Sequence, residues 1–454
     1  MRYVSTRGAA PVLEFDDVLL TGLAVDGGLY VPAEWPQFEL PESGGYAEVA
    51  AAVIRPFIGG SVLDDTLDQM LADTYSRFRH PDVAPLRRIT GDHHLLELFW
   101  GPTLSFKDYA LQFVGAAFDA VLADRGGSVT VLGATSGDTG SAAIEALAER
   151  KAVQVVILYP AGRVSDVQRL QMTTVQSANV HAIAVDGTFD DCQAIVKEAF
   201  AAPELRSAHR LAAVNSINWA RIMAQTVYYA WTAIRLGSPF DVAVPTGNFG
   251  NVLAAEVARR GGVPIGKLVV GTNSNHGLVD IIDEGRVRTS EVVPTIAPAM
   301  DIQVPSNFER YLFELVGRDG PAVSEAMSLL RSEGSLVLSE GAHARLGDRF
   351  VGYWYDQGEI EEAITRFHDA TGDLIDPHTA IGWLAGQAEL GERPMVSVAT
   401  AHPAKFGDAV LRATGVLPRL PEDLADLADR PERLRTVPAD LAAVAGVLAE
   451  LPRP

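Results

Sequence analysis

Short apolar runs alternate with helix-forming segments along the middle of this chain, and this alternation constrains the fold more than any other feature. The predicted strands and the helices that follow them lie at residues 129–132, 140–149, 153–159, 165–175, 180–185 and 189–201. Strand–helix–strand units of this kind cross over with a right hand and build a parallel sheet covered by helices. The sequence therefore predicts an α/β fold.

The alternation resumes after a long predicted helix at residues 218–236. Further strands are predicted at residues 242–244, 268–270 and 396–399, and a further helix at 249–260. The two glycines at positions 261 and 262 are typical of a helix end. This second series predicts another group of parallel strands.

The two ends of the chain lack this pattern. Residues 15–20 predict a short helix, 27–32 are rich in turn formers, and 54–78 have helical periodicity. The tail from residue 418 is rich in Asp, Leu, Arg and Pro and is expected to be a peripheral helical closure. We therefore divide the chain into residues 1–90, 91–417 and 418–454.

Charge and cysteine content restrict the class of function. The net charge is −21, which argues against nucleic acid and anionic membranes as partners, because both need a basic face. Cys192 is the only cysteine, so the chain has neither an internal disulfide nor a cysteine-rich metal site. No apolar run reaches membrane-spanning length, and residues 1–10 lack the apolar core of a signal peptide. We expect a cytoplasmic protein.

Lys107 is the first candidate for chemistry, because it is one of only five lysines among 37 basic residues. Unlike arginine, a lysine can lose its proton and attack a carbonyl carbon. The apolar neighbours Phe106 and Tyr109 predict partial burial, which favours the neutral amine. The alternative is a surface lysine at the start of a helix.

Two glycine-containing turns each join a predicted strand to a predicted helix. Residues 133–140 read Gly-Ala-Thr-Ser-Gly-Asp-Thr-Gly and residues 245–251 read Pro-Thr-Gly-Asn-Phe-Gly-Asn. Free N–H groups at a helix N-terminus bind phosphate or carboxylate, although each turn alone could be an ordinary tight connection. Neither turn matches a nucleotide-binding motif. The anion is therefore expected to be a small phosphorylated cofactor or substrate, rather than ATP or NAD.

Two weaker motifs suggest other chemistry. Ser136 lies between a strand and a helix, as a hydrolase nucleophile does, but its glycine spacing has the wrong register. His93 and His94 are metal-ligand types, but adjacent side chains diverge and no H-E-x-x-H sequence accompanies them. A structural role is expected for both histidines.

Two further clusters of polar residues are candidates for ligand binding, one after a predicted strand and one at the start of a predicted helix. Thr400, His402 and Lys405 follow the strand at 396–399 and could face a ligand, or belong to a loop with an exposed lysine. Asn218 could cap the following helix, and Arg221 could be a solvated residue of its first turn. Alternatively, both could bind carboxylate or phosphate. The residues alone leave both alternatives open.

Taken together, these segments resemble the threonine synthase family of pyridoxal-phosphate enzymes of fold type II, in the bacterial form with an extended N-terminal domain. The resemblance runs from Gly-Gly-Leu-Tyr-Val-Pro at 27–32, through Ser-Phe-Lys-Asp at 105–108, the two glycine turns and Asn-Ser-Ile-Asn at 215–218, to Ala-His-Pro-Ala-Lys-Phe at 401–406. It implies two parallel-sheet α/β lobes with a mainly helical N-terminal extension. We expect the lobe at about 130–215 to move, because the implied reaction admits water at one step and must exclude it at others.

The resemblance implies a role for each cofactor-site residue. Lys107 would be the catalytic residue and would carry pyridoxal 5'-phosphate as a Schiff base, and Thr400 would meet the pyridine nitrogen. Related enzymes have an asparagine near the ring oxygen where this chain has Asp138. The turn residues expected to hold the cofactor phosphate are Gly247, Asn248, Phe249, Gly250 and Asn251.

The implied reaction converts O-phospho-L-homoserine and water to L-threonine and phosphate by γ-elimination and β-addition of water. The residues expected to bind this small-molecule substrate are Ser136, Thr139, Asn218, Arg221, His402 and Lys405. A monomer or homodimer is expected. The alternatives are a serine/threonine dehydratase-like lyase and a non-catalytic phosphate-ligand-binding homologue.

Overall fold

The computed structural model describes residues 1–452, and its N-terminal part combines a small sheet with three helices. These elements are β1 Arg2–Ser5, β2 Leu13–Glu14, α1 Phe15–Thr21, β3 Tyr30–Pro32, α2 Tyr46–Ile58 and α3 Leu67–Tyr75. β1 pairs antiparallel with β2 and β3. The helical periodicity at 54–78 thus belongs to two helices. They separate at Gly59 and Gly60, where Gly60 has a φ of 87° that side-chain-bearing residues rarely adopt.

The middle of the chain contains a second, parallel sheet in addition to two strands of a larger sheet. The next elements are β4 Leu86–Thr90, β5 His93–Glu97, α4 Lys107–Arg125, β6 Val129–Ala134, α5 Asp138–Leu147, β7 Val153–Pro160, α6 Asp166–Thr173, β8 Val180–Asp186, α7 Phe189–Ala201, α8 Pro203–His209 and β9 Leu211–Ala212. Strands β6 to β9 pair in parallel. We call residues 129–212 the small lobe.

The second half of the chain builds most of a larger sheet. Its elements are α9 Trp219–Leu236, β10 Phe240–Pro245, α10 Gly250–Arg260, β11 Ile265–Thr272, α11 Gly277–Glu284, β12 Arg286–Arg288, α12 Phe308–Leu315, α13 Gly320–Glu333, β13 Ser335–Val337, α14 Glu340–Gly347, β14 Phe350–Trp354, α15 Gln357–Thr371, α16 Pro377–Ala388 and β15 Met395–Ala399. The large sheet has the order β14-β11-β10-β15-β5-β4, and every pair is parallel except β4 with β5. β4 therefore joins this sheet although the sequence division assigns it to residues 1–90.

The C-terminal tail returns to the small lobe. It contains α17 Gly407–Thr414, β16 Arg435–Pro438 and α18 Leu441–Glu450. The expected helical closure is present as α18, but the strand β16 was not expected. β16 pairs in parallel with β8 and completes a five-stranded sheet. The tail thus belongs to the structure of the small lobe.

The predicted strands all lie within observed strands. Apolar runs of three to seven residues mark them because parallel strands are buried on both faces. The mixed α/β architecture with two largely parallel sheets agrees with the fold class that the sequence predicts. Within residues 1–452, every helix falls short of the length or the apolar character needed to cross a bilayer.

Trp219 packs the N-terminal part of the chain against the start of α9. Its ring is fully buried and lies about 6 Å from three aromatic rings of residues 1–90, at 6.2 Å from Tyr3, 6.0 Å from Trp35 and 5.8 Å from Phe57. Truncating a buried aromatic side chain of this size costs about 3–5 kcal/mol. The contact fixes the start of α9, where Asn218 and Arg221 lie.

Candidate active site

Lys107 lies at the start of α4, where two adjacent parallel strands end. The segment after β5 is held to the segment after β15, because Phe106 N–H donates to Thr400 O at 2.9 Å and Ser105 bridges to Ala401. The Lys107 side chain is buried. The alternative of a surface lysine therefore does not fit the structure.

Asp138 joins two lysines that are far apart in sequence. Its Oδ2 lies 3.0 Å from Lys107 Nζ and its Oδ1 lies 2.9 Å from Lys405 Nζ. Gln168 Nε2 also donates to Oδ1 at 2.8 Å. Burial tends to raise the pKa of Asp138, but Lys107 and then Lys405 outweigh it and lower the pKa below its ordinary value. The carboxylate is therefore ionised.

The same contacts set the charge of Lys107. Burial lowers the pKa of its amine, the Asp138 carboxylate opposes that shift, and the nearby cations Lys405 and Arg221 add to it. A lowered pKa makes the neutral, nucleophilic amine accessible nearer to neutral pH. This is the environment that Schiff-base chemistry needs.

Lys405 is fully buried, so the alternative of an exposed loop lysine is excluded. Besides its pair with Asp138, its Nζ donates to Thr103 O at 2.7 Å. Thr103 is itself held by the Asp108 carboxylate, which accepts from its N–H at 2.8 Å and its hydroxyl at 2.6 Å. The aspartate directly after Lys107 thus orients the backbone carbonyl that receives Lys405.

The first glycine turn is largely satisfied internally. The Thr135 hydroxyl accepts from the N–H groups of Gly137 and Gly140 at 2.9 and 2.8 Å, so these groups are not free to bind an anion. Asp138 begins α5, which places its carboxylate at a helix N-terminus. Ser136 and Thr139 are partly exposed, and their hydroxyls have no hydrogen-bond partner in residues 1–452.

The second glycine turn has free donors. The N–H groups of Gly247, Asn248 and Phe249 have no acceptor within the described part of the chain. Phe249 has a φ of 68°, and its left-handed conformation turns successive N–H groups toward one concave face, an arrangement that binds anions. Its own ring points into the core, 5.4 Å from Phe308, so only its backbone can serve a ligand.

Two other residues of this turn have defined partners. Asn248 Oδ1 accepts from Gly250 N–H at 3.0 Å, which uses that donor. Asn251 Oδ1 accepts from the hydroxyls of Tyr228 and Tyr229 at 2.6 and 2.7 Å, and its buried Nδ2 has no partner within residues 1–452. The free donors fit a phosphate group.

Asn218 does not fit the substrate-binding role expected for it. Its Oδ1 accepts from Ala220 N–H at 3.0 Å, and its Nδ2 donates to Leu19 O at 2.8 Å and Ala213 O at 3.2 Å. The side-chain amide has two hydrogens and both are used. We therefore correct the assignment: Asn218 caps α9 and holds the end of α1, as the structural alternative held.

Arg221, one turn further along α9, has spare donors. It is buried, donates to Val214 O at 3.2 Å, and its Nε has no partner in the described structure. Burial lowers the pKa of its guanidinium to about 10, which still leaves it charged. A buried cation with an unused donor fits an anionic ligand.

His402 and Thr400 lie beside Lys405 on the loop after β15. The His402 Nδ1 accepts from Ala404 N–H at 3.2 Å, which places the ring proton on Nε2. Burial, with Arg79 nearby, lowers the pKa of His402 to about 4, so the ring is neutral at pH 7. Thr400 is buried and its carbonyl is used by Phe106 N–H.

The structure also places the two adjacent histidines. His93 is buried with Nε2 2.8 Å from Ser397 Oγ, and His94 is half-buried with Nδ1 3.3 Å from Asp92 O. Both residues belong to β5 of the large sheet, where a structural role is sufficient. Among residues 1–452, no group of three metal-ligand side chains is placed to hold an ion.

The sequence did not identify three residues of the site. Thr103 precedes the lysine motif and Asp108 is its last residue, and their proximity to Lys107 was the signal available. Gln168 lies on α6 and carries no motif. Its contact with Asp138 becomes visible only in the three-dimensional structure.

Three models of known protein families match this chain. One described as pyridoxal-phosphate dependent enzyme matches residues 93–347, one described as threonine synthase N terminus matches 2–75, and one described as threonine synthase, C-terminal, matches 379–448. Threonine synthase from Pseudomonas aeruginosa is 47% identical, with 99% of this chain and 98% of that protein aligned. Threonine synthase from Saccharomyces cerevisiae is 37% identical, over 99% and 97%.

Solved structures of threonine synthases also match this chain. The structure of pyridoxal-phosphate-bound threonine synthase from Brucella melitensis matches with a TM-score of 0.95 and 46% identity, covering 99% of this chain and 98% of that chain. Yeast threonine synthase matches with a TM-score of 0.92 and 36% identity, over 99% and 98%. A threonine deaminase from Solanum lycopersicum matches with a TM-score of 0.53 at 14% identity, over 85% of this chain and 98% of that chain, which shows a shared fold alone.

Proposed function

This chain belongs to the threonine synthase family of pyridoxal-phosphate-dependent lyases, and on that premise we propose that its substrate is O-phospho-L-homoserine, which it converts with water to L-threonine and phosphate. The observation that carries this proposal is the buried pair of lysines on one carboxylate. Lys107 and Lys405 both contact Asp138. One lysine suffices to hold the cofactor, so the second is available to an anionic substrate.

Charge in the site supports a substrate with both a phosphate and a carboxylate. Lys107, Lys405 and Arg221 are all buried, and Asp138 pairs only with the two lysines. Buried cations need compensating anions, and a local excess of positive charge attracts anions even to a chain of net charge −21. A bound phosphorylated amino acid supplies that negative charge.

The residues fit the cofactor in two places. Lys107 offers a buried amine of lowered pKa, and we propose that it holds the cofactor through a Schiff base. The free N–H groups of Gly247, Asn248 and Phe249, with the start of α10, would bind the cofactor phosphate. Thr400 would contact the pyridine nitrogen. When bound, the cofactor supplies an electron sink for negative charge that develops on the substrate carbon skeleton.

The remaining chemistry belongs to this chain's own side chains. When its amine is not bonded to the cofactor, Lys107 would remove and return protons at the substrate carbons. Lys405 and Arg221 would bind the substrate's anionic groups, with the hydroxyls of Ser136 and Thr139 as additional donors. His402 is neutral and would act as a hydrogen-bond donor through Nε2. Asp138 would hold both lysines in place.

Two alternatives lead to different reactions. A dehydratase-like lyase needs no site for a substrate phosphate, and the fully buried Lys405 supports the synthase instead. A non-catalytic homologue would have no need of a buried lysine whose pKa is lowered. We also propose that the enzyme acts in the cytoplasm as a monomer or homodimer, which fractionation and sedimentation would test.

The decisive experiment incubates the purified holoenzyme with O-phospho-L-homoserine and assays threonine and phosphate together, with Lys107→Ala as the comparison. Equal amounts of both products, lost in the variant, are expected. L-serine and L-threonine serve as control substrates. Formation of a 2-oxo acid from them, without phosphate release from O-phospho-L-homoserine, would identify a dehydratase. No turnover of any substrate would overturn both enzymatic assignments.

A further inference from the structure

A buried arginine that forms no ion pair within residues 1–452 lies behind the second glycine turn. Arg310 is in the first turn of α12, and its side chain is 1% exposed. Its Nε donates to Tyr30 O at 3.0 Å, and its Nη2 donates to Ile217 O at 2.6 Å. Its Nη1 donates to Ser216 O at 3.4 Å and to Asn307 Oδ1. All four acceptors are neutral.

This arginine is linked to the turn through one residue. Asn307, which it contacts, donates its N–H to Asn248 O at 3.0 Å. The Asn307 Nδ2 is buried, has no partner within residues 1–452, and would lie 3.4 Å from a Cβ atom at Gly250. An unused donor therefore stands beside the start of α10.

A second link runs through the loop before α9. Asn248 Nδ2 donates to Ser216 Oγ at 3.0 Å, and Arg310 holds the carbonyls of Ser216 and Ile217. Arg310 thus contacts both segments that support Asn248. The orientation of the free N–H groups at 247–249 depends on these supports.

The missing ion pair distinguishes this arginine from its neighbours. Glu309 is adjacent in sequence but pairs with Arg7 at 2.9 Å, and Arg318 at the end of the same region pairs with Glu314 at 2.8 Å. Burial lowers the pKa of Arg310 to about 9. Burying an unpaired cation is costly, and a bound anion nearby reduces that cost.

We propose that Arg310 is a positioning residue for the cofactor phosphate, which orients the 246–251 turn through Asn307 and the 216–217 carbonyls and adds positive potential there. This role of Arg310 rests on the proposed function, because it requires the turn to be the phosphate site. Arg310 touches none of the turn residues directly, so it acts through Asn307 and Ser216. Its loss should weaken binding of the phosphate and leave the pyridine ring's contacts unchanged.

The test compares pyridoxal phosphate with pyridoxal, which lacks the phosphate, as ligands of the cofactor-free enzyme. The measured quantity is the dissociation constant of pyridoxal divided by that of pyridoxal phosphate, with binding followed by the visible absorbance of the bound ligand. Arg310→Met should weaken binding of pyridoxal phosphate by roughly ten- to a hundredfold, by analogy with the range for residues that orient the ligands of a metal ion. Pyridoxal binding should change little. Arg310→Lys keeps the positive charge but lacks the planar guanidinium with its several donors, so a smaller loss of affinity for pyridoxal phosphate is expected.

Two controls keep the outcomes separate. Arg318→Met removes another arginine that bonds the N-terminal part, through Ala33 O, but has no contact with the turn, and it should leave the ratio unchanged. Gly247→Ala places a Cβ 2.3 Å from Ala299 O, so it disturbs the turn itself and should reduce the ratio.

The outcomes decide between the two proposals. If Gly247→Ala leaves the ratio unchanged, the turn is not the phosphate site and that part of the proposed function fails. If Gly247→Ala lowers the ratio but both Arg310 variants keep the wild-type ratio, the role of Arg310 is wrong. Equal weakening of both ligands by the Arg310 variants would mean a purely structural role and also overturns it. If Arg310→Met does not fold, Arg310→Lys decides.

Discussion

Lys405 Nζ lies 2.9 Å from Oδ1 of Asp138, and this contact joins the loop after β15 to the small lobe. The other oxygen of the same carboxylate lies 3.0 Å from Lys107 Nζ. One carboxylate thus connects the lysine proposed to hold the cofactor with the lysine proposed to bind substrate. Lys405 uses two of its three N–H groups, on Asp138 and Thr103 O, so a substrate phosphate that binds the third would weaken the attraction of Lys405 to Asp138.

Lys405→Met should raise the KM for O-phospho-L-homoserine. Loss of a charge-assisted hydrogen bond costs about 1.5–3 kcal/mol, which corresponds to roughly a ten- to hundredfold rise in KM. Steady-state phosphate release measures KM, and ligand titration measures cofactor affinity, which should change little. Lys267→Met is the matched control, because Lys267 forms an exposed pair with Glu389. An unchanged KM in Lys405→Met would rule out substrate binding by Lys405.

Asp138→Asn should shift the pH dependence of cofactor attachment to lower pH. Burial lowers the pKa of Lys107, and the Asp138 carboxylate opposes this shift, so removing its charge lowers that pKa further. The neutral amine then forms at lower pH. The rate at which cofactor-free enzyme binds pyridoxal phosphate, measured across pH, reports the shift.

Gln168→Ala provides the control for that experiment. It removes one hydrogen bond to Asp138 but keeps the carboxylate charge, so a much smaller displacement of the pH profile is expected. A shift to higher pH in Asp138→Asn, or equal shifts in both variants, would contradict the electrostatic account.

Six strands of the two parallel sheets were predictable because each contains a short apolar run, and the two-lobe α/β fold is confirmed by the solved relatives. β5, which precedes Lys107, was not predicted, because its sequence His-His-Leu-Leu-Glu is not an apolar run. Residues 273–394 were not predicted. Their helices α11 to α16 are joined by short strands such as β12 and β13, which pair only with each other. β16 was also missed, because a four-residue strand with one buried side chain gives no apolar run.

Site residues were predictable where a motif identified them. Lys107 and the turn at 246–251 could be read from spacing and residue type. The contact of Asp138 with Lys405 joins positions 267 residues apart, so no local pattern reveals it. Asn218 was ambiguous because helix caps and anion sites use the same residue types. Arg310 belongs to no motif, and its lack of an ion pair is visible only in three dimensions.

Asn218→Ala should destabilise the enzyme without changing substrate affinity. The variant loses the cap of α9 and two hydrogen bonds, to Leu19 O and Ala213 O. Loss of the cap alone costs about 0.5–2 kcal/mol. Denaturant unfolding measures the loss, and KM should stay near the wild-type value. A large rise in KM at unchanged stability would restore the substrate-binding assignment that the structure argues against.

The small lobe is expected to move when the site fills, because ligands weaken the ion pairs that join Asp138 of this lobe to Lys107 and Lys405. Asp138 pairs with Lys107 and Lys405, and Gln171 Nε2 donates to Thr103 O at 3.2 Å. Cofactor attachment changes the charge of Lys107, and a substrate phosphate bound to Lys405 would weaken the attraction of Lys405 to Asp138. Both events weaken the hold of Asp138.

Amide hydrogen exchange measures this motion in solution. In the cofactor-free enzyme, Asp138→Asn should speed exchange in α5 and α6 and leave β10 and β11 unchanged, because the two lost ion pairs hold the start of α5. With cofactor and a non-reactive phosphonate analogue of the substrate bound to the wild-type enzyme, the small lobe should be displaced relative to the large sheet. Ligand-free and ligand-bound structures that superpose without displacement, together with unchanged exchange in Asp138→Asn, would show that the lobes form one rigid body.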